Sequence, residues 1–336
     1  MSADTPATDR SRPPLRRLGS SGLVVSAVGL GCNTLGRPGA ASESQEGSDR
    51  VVHAALDAGI TLFDTADTYG ARPGLSEERL GAALRGHRDR VVIATKFGMD
   101  TRGLNGPDGG ARGSRSYVIR AVESSLRRLG TDWIDLYQFH TPDPLTPIDE
   151  TVAALDALVQ SGKVRYVGHS NRAGWQIAEA EFVAREMGAE RFISSQNQYN
   201  LIDRRAEHEV LPSCEAFGLG VLPYFPLANG LLTGKYADGT AAEGTRLART
   251  RKHLLEKAVS PELKRYSEFA ASRGLSEVTV AIGWLLAQAP VASVIAGATR
   301  AEQVVANAAA ASWAPRAEDL AELDDIFPPP EPIAPF

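Results

Sequence analysis

The sequence has little of what marks secreted, membrane-spanning or nucleic-acid-binding proteins. It contains only two cysteines in 336 residues, Cys32 and Cys214, and their spacing matches no metal or redox motif. We therefore expect two free, buried thiols and a reducing compartment, the cytoplasm. No apolar run approaches the roughly 18 residues that a membrane span needs. The net charge is −5 without a long run of one sign, so electrostatics favour neither nucleic acid nor an anionic membrane as partner.

The two ends of the chain differ in composition from the rest. Residues 1–14 are rich in Ser, Thr, Pro, Asp and Arg and lack an apolar core, which favours a disordered tail over a secretory signal. The Pro-rich residues 328–336 are typical of a second, extended tail. Length alone permits one large domain or two ordinary ones. Residues 15–327 show no break in composition, so we predict a single domain there.

From about residue 48, short Val- and Ile-rich runs bounded by glycine alternate with longer stretches of helical periodicity. The short runs are apolar throughout, as parallel strands covered on both faces are. The number of strand–helix units is close to eight, which favours a closed (β/α)8 TIM barrel over an open doubly wound sheet. Ahead of the series, the turn Gly19-Ser20-Ser21-Gly22 predicts a β-hairpin that plugs the barrel floor. Extra helices and loops are expected at the C-terminal face, among them the glycine-rich segment 100–115.

Titratable residues end three consecutive predicted strands. Asp64 ends the first, Lys96 the second and His140 the third, and Tyr69 lies in the loop after Asp64. Because the C-terminal strand ends of a barrel face its active site, the four side chains should converge on one mouth. Each also has an ordinary explanation by itself: a turn cap, a solvated lysine, a core histidine or a packing aromatic. Their order on successive strands favours a site.

These four residue types suit proton transfer to a carbonyl compound. Tyr has a pKa of about 10 and is a poor acid at neutral pH, and a nearby ammonium lowers that pKa. A buried Lys96 tends to lose its proton, and Asp64 as counter-ion keeps it charged. A neutral His140 can hydrogen-bond the substrate carbonyl and fix its orientation.

The chain resembles the aldo-keto reductase superfamily over about residues 16–325. Five segments carry the resemblance together: GLVVSAVGLGC (22–32), DAGITLFDTADTYG (57–70), SGKVRYVGHSN (161–171), QNQYNLIDR (196–204) and PLANGLLTGKY (226–236). They look like the bacterial, potassium-channel-β-subunit-like branch rather than the mammalian aldose-reductase type.

The resemblance implies an NADPH-dependent enzyme, without a metal, that reversibly reduces a small aldehyde or ketone to an alcohol. It implies Tyr69 as proton donor, with Asp64, Lys96 and His140 completing a catalytic tetrad. It also implies a set of cofactor contacts. They are Ser170, Asn171 and Gln196 at the nicotinamide carboxamide, Tyr224 on the nicotinamide ring, Leu227, Gly230 and Lys235 at the diphosphate, and Gly297, Thr299, Arg300, Gln303 and Asn307 at the adenosine end.

The residues at the adenosine end support this assignment independently. The run from Gly297 to Arg300 leads into a predicted helix, whose N-terminus offers backbone donors and a positive dipole to a phosphate. Arg300 adds a planar donor fork suited to a 2′-phosphate, which favours NADPH over NADH. No Gly-x-Gly-x-x-Gly motif opens a helix after a strand, so a Rossmann site is not indicated.

Several positions depart from the family pattern. Phe225 and His169 could reshape the pocket, Ala296 replaces a common Pro, and Ala306 replaces a common Glu near the adenine, which could weaken that contact. Four aromatic residues could line the pocket, although packing better explains each: Trp175, Phe97, Trp313 and Phe327.

Two other functions stay open at the level of sequence. One is a regulatory subunit that senses nucleotide by binding NADP(H) tightly and turning over slowly. The other is an enoyl or deoxysugar reductase. A complete tetrad that includes His140 favours an enzyme over the sensor. The natural substrate and the oligomeric state do not follow from the sequence, because barrel-mouth loops set specificity in this fold.

Overall fold

The computed structural model describes residues 12–236, 240 and 259–331. Two short antiparallel strands come first, β1 (Leu15–Arg17) and β2 (Val24–Ser26). Eight parallel strands follow: β3 (Val28–Gly31), β4 (Leu62–Asp64), β5 (Val92–Phe97), β6 (Ile134–Phe139), β7 (Val164–Ser170), β8 (Ser194–Gln196), β9 (Gly220–Val221) and β10 (Val294–Gly297).

The parallel strands form the predicted (β/α)8 barrel. They pair in the order β10, β3, β4, β5, β6, β7, β8, β9. Parallel bridges between Val221 and Val291 and between Tyr224 and Ile295 join the β9 edge to the β10 edge. One assignment differs from the sequence reading, which placed Val28–Gly31 in the segment ahead of the series. That run is the first barrel strand, because it pairs with both β10 and β4.

Helices cover the outside of the barrel. They are α1 (Gln45–Asp57), α2 (Leu75–Ala83), α3 (Arg115–Leu129), α4 (Ile148–Gln160), α5 (Gly174–Met187), α6 (Val210–Phe217), α7 (Pro261–Ser272), α8 (Glu277–Leu286), α9 (Ala301–Ala309) and α10 (Ala317–Ile326). Ser76 is a type of residue that predicts an N-cap, yet it lies inside α2. Its buried hydroxyl donates to the Cys32 carbonyl, and Gly74 precedes the helix instead.

The barrel floor is filled by the N-terminal hairpin. Leu18 and Val25 belong to one buried apolar cluster with residues that point into the barrel: Leu62, Ala94, Leu136, Leu222, Ala292 and Ile295. The hairpin turn is fixed to the barrel by a hydrogen bond from the Ser20 N–H to the Gly218 carbonyl. The structure therefore bears out the predicted hairpin and plug, and it leaves the opposite, C-terminal face open for a site.

Several predicted features fall partly or wholly outside the described residues. Residues 1–11 and 332–336 of the two predicted tails lie outside them, as do residues 237–239 and 241–251 of the loop that follows Lys235. In the part of the chain that the structure does describe, both cysteines are buried and free. No helix there is long and apolar enough to cross a membrane.

Candidate active site

A buried ion pair lies where β4 and β5 end. The Lys96 side chain is fully buried, and its Nζ lies 2.6 Å from Oδ2 of Asp64. The same ammonium donates to the Thr65 carbonyl at 2.9 Å. Lys96 points into the barrel because it shares one face of β5 with Ala94 of the interior cluster. The chain thus holds a charge in its interior next to a fixed counter-ion.

The second oxygen of Asp64 is held by two glutamines. Oδ1 accepts from Nε2 of Gln138 at 3.1 Å and from Nε2 of Gln196 at 2.8 Å. Sequence reasoning missed Gln138, although a signal existed: it precedes His140 by two residues and so shares its face of the strand. Gln196 was assigned to the cofactor carboxamide, but here its amide nitrogen contacts the tetrad carboxylate. The two glutamines fix the orientation of the Asp64 carboxylate.

Tyr69 and His140 lie beside this pair at the barrel mouth. Their rings meet edge to face with centroids 5.8 Å apart, and Nζ of Lys96 is 5.1 Å from the centroid of the Tyr69 ring. His140 is buried and Tyr69 is partly exposed. The structure therefore brings together all four residues of the tetrad that the resemblance implies.

Burial and the ion pair set the protonation of these groups. Burial raises the pKa of Tyr69 above its ordinary value, and the Lys96 ammonium opposes the rise without cancelling it. The sequence reading expected Lys96 to lower that pKa outright. Burial acts to lower the pKa of Lys96, but Asp64 and Tyr69 outweigh it, so the pKa is raised. Burial holds the pKa of His140 well below its usual range, and the positive charge of Lys96 lowers it further. Neutral pH thus finds a phenol, an ammonium and a neutral imidazole at the mouth.

A second group of polar residues lies next to the tetrad, after β7. The Asn171 amide nitrogen donates to the His140 carbonyl at 2.9 Å and to Oγ of Ser170 at 3.0 Å. Its amide oxygen accepts from the Tyr224 hydroxyl at 2.8 Å. Ser170 donates to the Gln196 carbonyl at 2.6 Å. The residues predicted for the nicotinamide end therefore form one network that touches the tetrad through His140.

The residues predicted to hold the diphosphate follow Tyr224 in a strained loop. Ala228, Asn229 and Gly230 all have positive φ, at 46°, 60° and 102°. A Cβ on Gly230 would lie 3.2 Å from Cε of Lys235, so the glycine lets the lysine side chain cross the loop. Lys235 is exposed, Leu227 is partly exposed, and Oδ1 of Asn229 is buried without a hydrogen-bond partner among the described residues. The loop offers an exposed cation to a ligand.

The predicted adenosine-end residues cluster at the start of α9. Gly297 is exposed, and a Cβ there would make only ordinary contacts, 3.7 Å to Oδ1 of Asn33 and 3.8 Å to the Gly31 carbonyl. Arg300 is exposed immediately before the helix. The N–H and the hydroxyl of Thr299 contact Oε1 of Gln303 at 2.8 and 3.2 Å. Asn307 is buried two turns later. An exposed glycine, an exposed guanidinium and a helix start fit an anionic, phosphate-bearing group. Over residues 12–236, 240 and 259–331, no cluster of three His, Cys, Asp or Glu side chains is arranged to hold a metal.

The departures from the family pattern have different outcomes. Phe225 has a φ of 55°, and its ring meets Tyr224 edge on, so it borders the site. His169 does not. A Cβ on Gly168 would contact the inward-pointing Leu136 and Gln138, so the next residue, His169, points outward and packs on Phe192. The expectation that His169 reshapes the pocket was therefore wrong. Ala296 is buried in β10 and Ala306 is exposed on α9.

The four aromatic residues considered for the pocket mostly pack elsewhere. Phe97 stacks between Tyr137 and Phe139 on the outer face of the sheet. Phe327 packs against Tyr266, and Trp313 lies against Gly283 of α8. Trp175 is 62% exposed at the start of α5. Packing accounts for the first three.

Comparison with known proteins decides the family. A model described as the Aldo/keto reductase family matches residues 27–327, which span the whole barrel. The chain belongs to the aldo/keto reductase family. The resemblance expected from the sequence is therefore confirmed.

Relatives of this aldo/keto reductase cover nearly its full length. It is 39% identical over 319 residues to the uncharacterized oxidoreductase YrpG of Bacillus subtilis, covering 93% of this chain and 95% of the relative. It is 36% identical over 322 residues to an L-glyceraldehyde 3-phosphate reductase of Escherichia coli O157:H7, covering 92% and 91%. It is 34% identical over 331 residues to a putative voltage-gated potassium channel subunit beta of Schizosaccharomyces pombe, covering 94% and 93%. Similarity to the channel-subunit branch is thus also confirmed.

Proposed function

We propose that this aldo/keto reductase reduces an aldehyde or ketone to an alcohol with NADPH, and that Tyr69 is the general acid. One observation carries the proposal. The buried Lys96–Asp64 pair lies directly beside Tyr69 and His140 at the open end of the barrel. The family membership and the reductase names among the relatives support the same reaction.

Tyr69 has the protonation state that an acid requires. Its raised pKa keeps the phenol protonated at neutral pH. As the phenol gives up its proton to a developing alkoxide, the Lys96 ammonium stabilises the phenolate that forms. Asp64 keeps that ammonium charged in the interior, and Gln138 and Gln196 hold the Asp64 carboxylate in place. The charge that aids proton transfer is therefore set in position before substrate arrives.

His140 is suited to orienting the carbonyl. Its depressed pKa makes it neutral, so it can form a directed hydrogen bond without placing a second full charge beside Lys96. Its Nδ1 is buried and has no hydrogen-bond partner among the described residues. The Asn171 amide fixes the backbone of His140 from the other side. A substrate oxygen between Tyr69 and His140 would accept a hydrogen bond from the imidazole and approach the proton donor.

NADPH, when bound, supplies the hydride that the carbonyl carbon accepts. Ser170, Asn171 and Gln196 would hold its carboxamide, and the partly exposed Tyr224 ring would face the nicotinamide. Lys235, with Leu227 and Gly230, would hold the diphosphate, and the start of α9 the adenosine end. We prefer NADPH to NADH because the exposed Arg300 fork suits a 2′-phosphate.

A nucleotide-sensing subunit is the second candidate. The similarity to a putative channel β subunit is the observation that favours it. Such a protein would bind the cofactor without rapid turnover. The complete tetrad, with the neutral His140 in place, favours the enzyme.

The first test compares wild type with Tyr69→Phe, using NADPH and an activated aromatic aldehyde such as 4-nitrobenzaldehyde. Loss of the general acid should lower kcat by about 10²- to 10⁴-fold while NADPH binding, followed by fluorescence, is kept. Tyr166→Phe is the matched control, because it removes a phenolic hydroxyl next to the barrel-floor cluster.

The outcomes separate the two candidates. Turnover by wild type and by Tyr166→Phe, with none by Tyr69→Phe, supports the reductase. Full activity in Tyr69→Phe would remove Tyr69 from the mechanism. Tight NADPH binding without turnover in any variant would favour the sensor.

A further inference from the structure

A second buried polar cluster lies behind the tetrad, and Asp67 is at its centre. Asp67 precedes Tyr69 by two residues and is fully buried. Its Oδ2 accepts from Nδ2 of Asn105 at 2.8 Å, and its backbone N–H donates to the Lys96 carbonyl at 3.2 Å. Its Oδ1 is buried without a hydrogen-bond partner among the described residues. The proposed function gives this carboxyl group no task.

Among the described residues, the cations near Asp67 are each paired with another carboxylate. Glu77 of α2 is also fully buried. Its carboxylate accepts from Nε of Arg128 at 2.6 Å and from the Thr95 hydroxyl at 2.6 Å. Lys96 is paired with Asp64. A buried carboxylate that has one neutral donor and no counter-ion among the described residues is unfavourable relative to the protonated acid. The arrangement therefore favours a neutral Asp67.

The pKa of Asp67 points the same way. Burial raises it well above the ordinary value, and the Glu77 carboxylate raises it further, while Arg128, Asn105 and Lys96 act in the opposite direction. The other titratable groups that sense Asp67 are phenols: Tyr69 beside it, Tyr117 from α3 and Tyr137 from β6.

Asn105 connects Asp67 to the glycine-rich loop between β5 and α3, residues 98–114. It is buried in the middle of that loop. Its backbone carbonyl accepts from Nε of Arg120 at 3.2 Å, and its side chain contacts Arg128 at 3.5 Å, both on α3. The loop borders the barrel mouth, since it follows directly on Lys96 and Phe97. The Asp67–Asn105 contact is a side-chain hydrogen bond between this loop and the segment that bears Tyr69, residues 66–70.

We propose that Asp67 is a positioning residue, held as a neutral acid, that ties loop 98–114 to segment 66–70 through Asn105. The proposal rests on the assignment of Tyr69 as proton donor. The tie fixes Tyr69 against Lys96 and makes the geometry of the acid depend on the conformation of the mouth loop. No charge on Asp67 takes part in the reaction.

Four variants test the tie by its effect on turnover. Asp67→Asn keeps a neutral group that can accept from Asn105, so kcat should stay within about threefold of wild type. Asp67→Ala and Asn105→Ala both remove the contact and should lower kcat by about tenfold or more, with a smaller change in KM for NADPH, since misplacement of about 1 Å can cost that much. Asp108→Asn is the control, because the Asp108 carboxylate accepts from Gly110 and Arg112, both within the same loop. It should leave kcat within about twofold of wild type.

Thermal stability against pH tests the protonation state without using activity. An unfolded Asp ionises near pH 4, whereas the folded one stays protonated to higher pH. Raising the pH therefore favours the unfolded wild type. Asp67→Asn lacks this penalty. The Tm of Asp67→Asn minus the Tm of wild type should therefore increase as the pH is raised from about 5 upward. An ordinary, ionised Asp67 would give a constant difference between about pH 5 and 8.

Each result either supports or overturns the proposal. Asp67→Asn as slow as Asp67→Ala, Asp67→Ala as fast as wild type, or a Tm difference that does not change with pH would overturn it. If wild type shows no turnover at all, the proposed function fails. Hydrogen exchange then tests whether the Asp67–Asn105 contact holds the two segments together. Asp67→Ala should then speed exchange in residues 98–114 and 66–70 together. Faster exchange in 66–70 alone would mean that the two segments are not tied.

Discussion

Two fully buried basic side chains of this barrel differ in charge, although burial acts to lower the pKa of both. Lys96 is fully buried and charged, because Asp64 lies 2.6 Å away. His169 is fully buried on the outer face of β7, without an acidic partner in the part of the chain that the structure describes. Both of its ring nitrogens lack hydrogen-bond partners among the described residues, and burial holds its pKa well below the usual range. His169 is therefore a neutral packing residue rather than part of the pocket, and it lowers the stability of the fold at acidic pH.

We expect His169→Phe to make the protein less sensitive to acid. In wild type the unfolded imidazole takes up a proton below about pH 6.5 and the folded one does not, so the free energy of unfolding falls as the pH is lowered. Between about pH 7.5 and 5.5 this residue should account for a loss of about 1 kcal/mol. Urea unfolding at both values measures it. His208→Gln, which changes an exposed histidine, is the control. Its loss of stability between the two pH values should equal that of wild type. An equal loss in His169→Phe would show that His169 is not buried as a neutral group.

At the scale of the element, α9 combines a helix start with a cation. The helix begins at Ala301, directly after β10, and Arg300 precedes it with an extended backbone. The backbone donors of its first turn and the guanidinium both favour a phosphate. The Thr299–Gln303 contact closes part of this surface and leaves Arg300 as the exposed donor group.

Arg300→Ala should weaken NADPH selectively. Loss of a charge-assisted contact to the 2′-phosphate is worth about 1.5–3 kcal/mol, or roughly tenfold or more in Kd, and NADH lacks that phosphate. Fluorescence titration with both nucleotides measures the ratio. Glu302→Gln, on an exposed position of the same helix, should not reduce affinity for either nucleotide. Equal weakening of NADPH and NADH would place Arg300 away from the 2′ position.

At the scale of the whole molecule, one arginine holds the C-terminal helix to the barrel. Arg204, in the loop after β8, bonds Glu207 at 2.7 Å, Asp324 of α10 at 2.6 Å and the Phe327 carbonyl at 2.7 Å. Its guanidinium also lies over the Trp284 ring of α8. A cavity of about 450 Å³ opens beside this anchor, lined in part by Pro328, Pro330 and Asn229. The end of the described chain is thereby fixed next to the predicted cofactor loop.

Arg204→Met should destabilise the fold by about 2–4 kcal/mol, toward the lower side of what breaking a buried pair costs, because Asp324 is partly exposed. Its neighbour supplies the control. Arg205 is 80% exposed and pairs with Asp203, so Arg205→Met should change stability by about 0.5 kcal/mol or less. Urea or thermal unfolding of the two variants checks the difference. Similar values for both would mean that the anchor contributes no more than a surface pair.

The features of the fold that depend on local pattern can be predicted from the sequence alone. Alternating apolar runs and helical periodicity predicted the barrel, and the turn at residues 19–22 predicted the plugging hairpin. Because parallel strands all end at one face, the order Asp64, Lys96, His140 was enough to predict that these residues meet. Only the first strand, Val28–Gly31, was misassigned, since its partners β10 and β4 are distant in sequence.

Long-range packing sets which residues surround that site and which protonation states they take. Gln138 and Gln196 on Asp64, Asn105 on Asp67 and Glu77 on Arg128 are contacts between segments that lie far apart in the chain. The net rise in the Tyr69 pKa depends on how burial balances the Lys96 charge, and periodicity does not reveal burial depth at a loop. The pattern of a chain fixes which face a side chain takes, whereas packing fixes what it meets there and how much water remains.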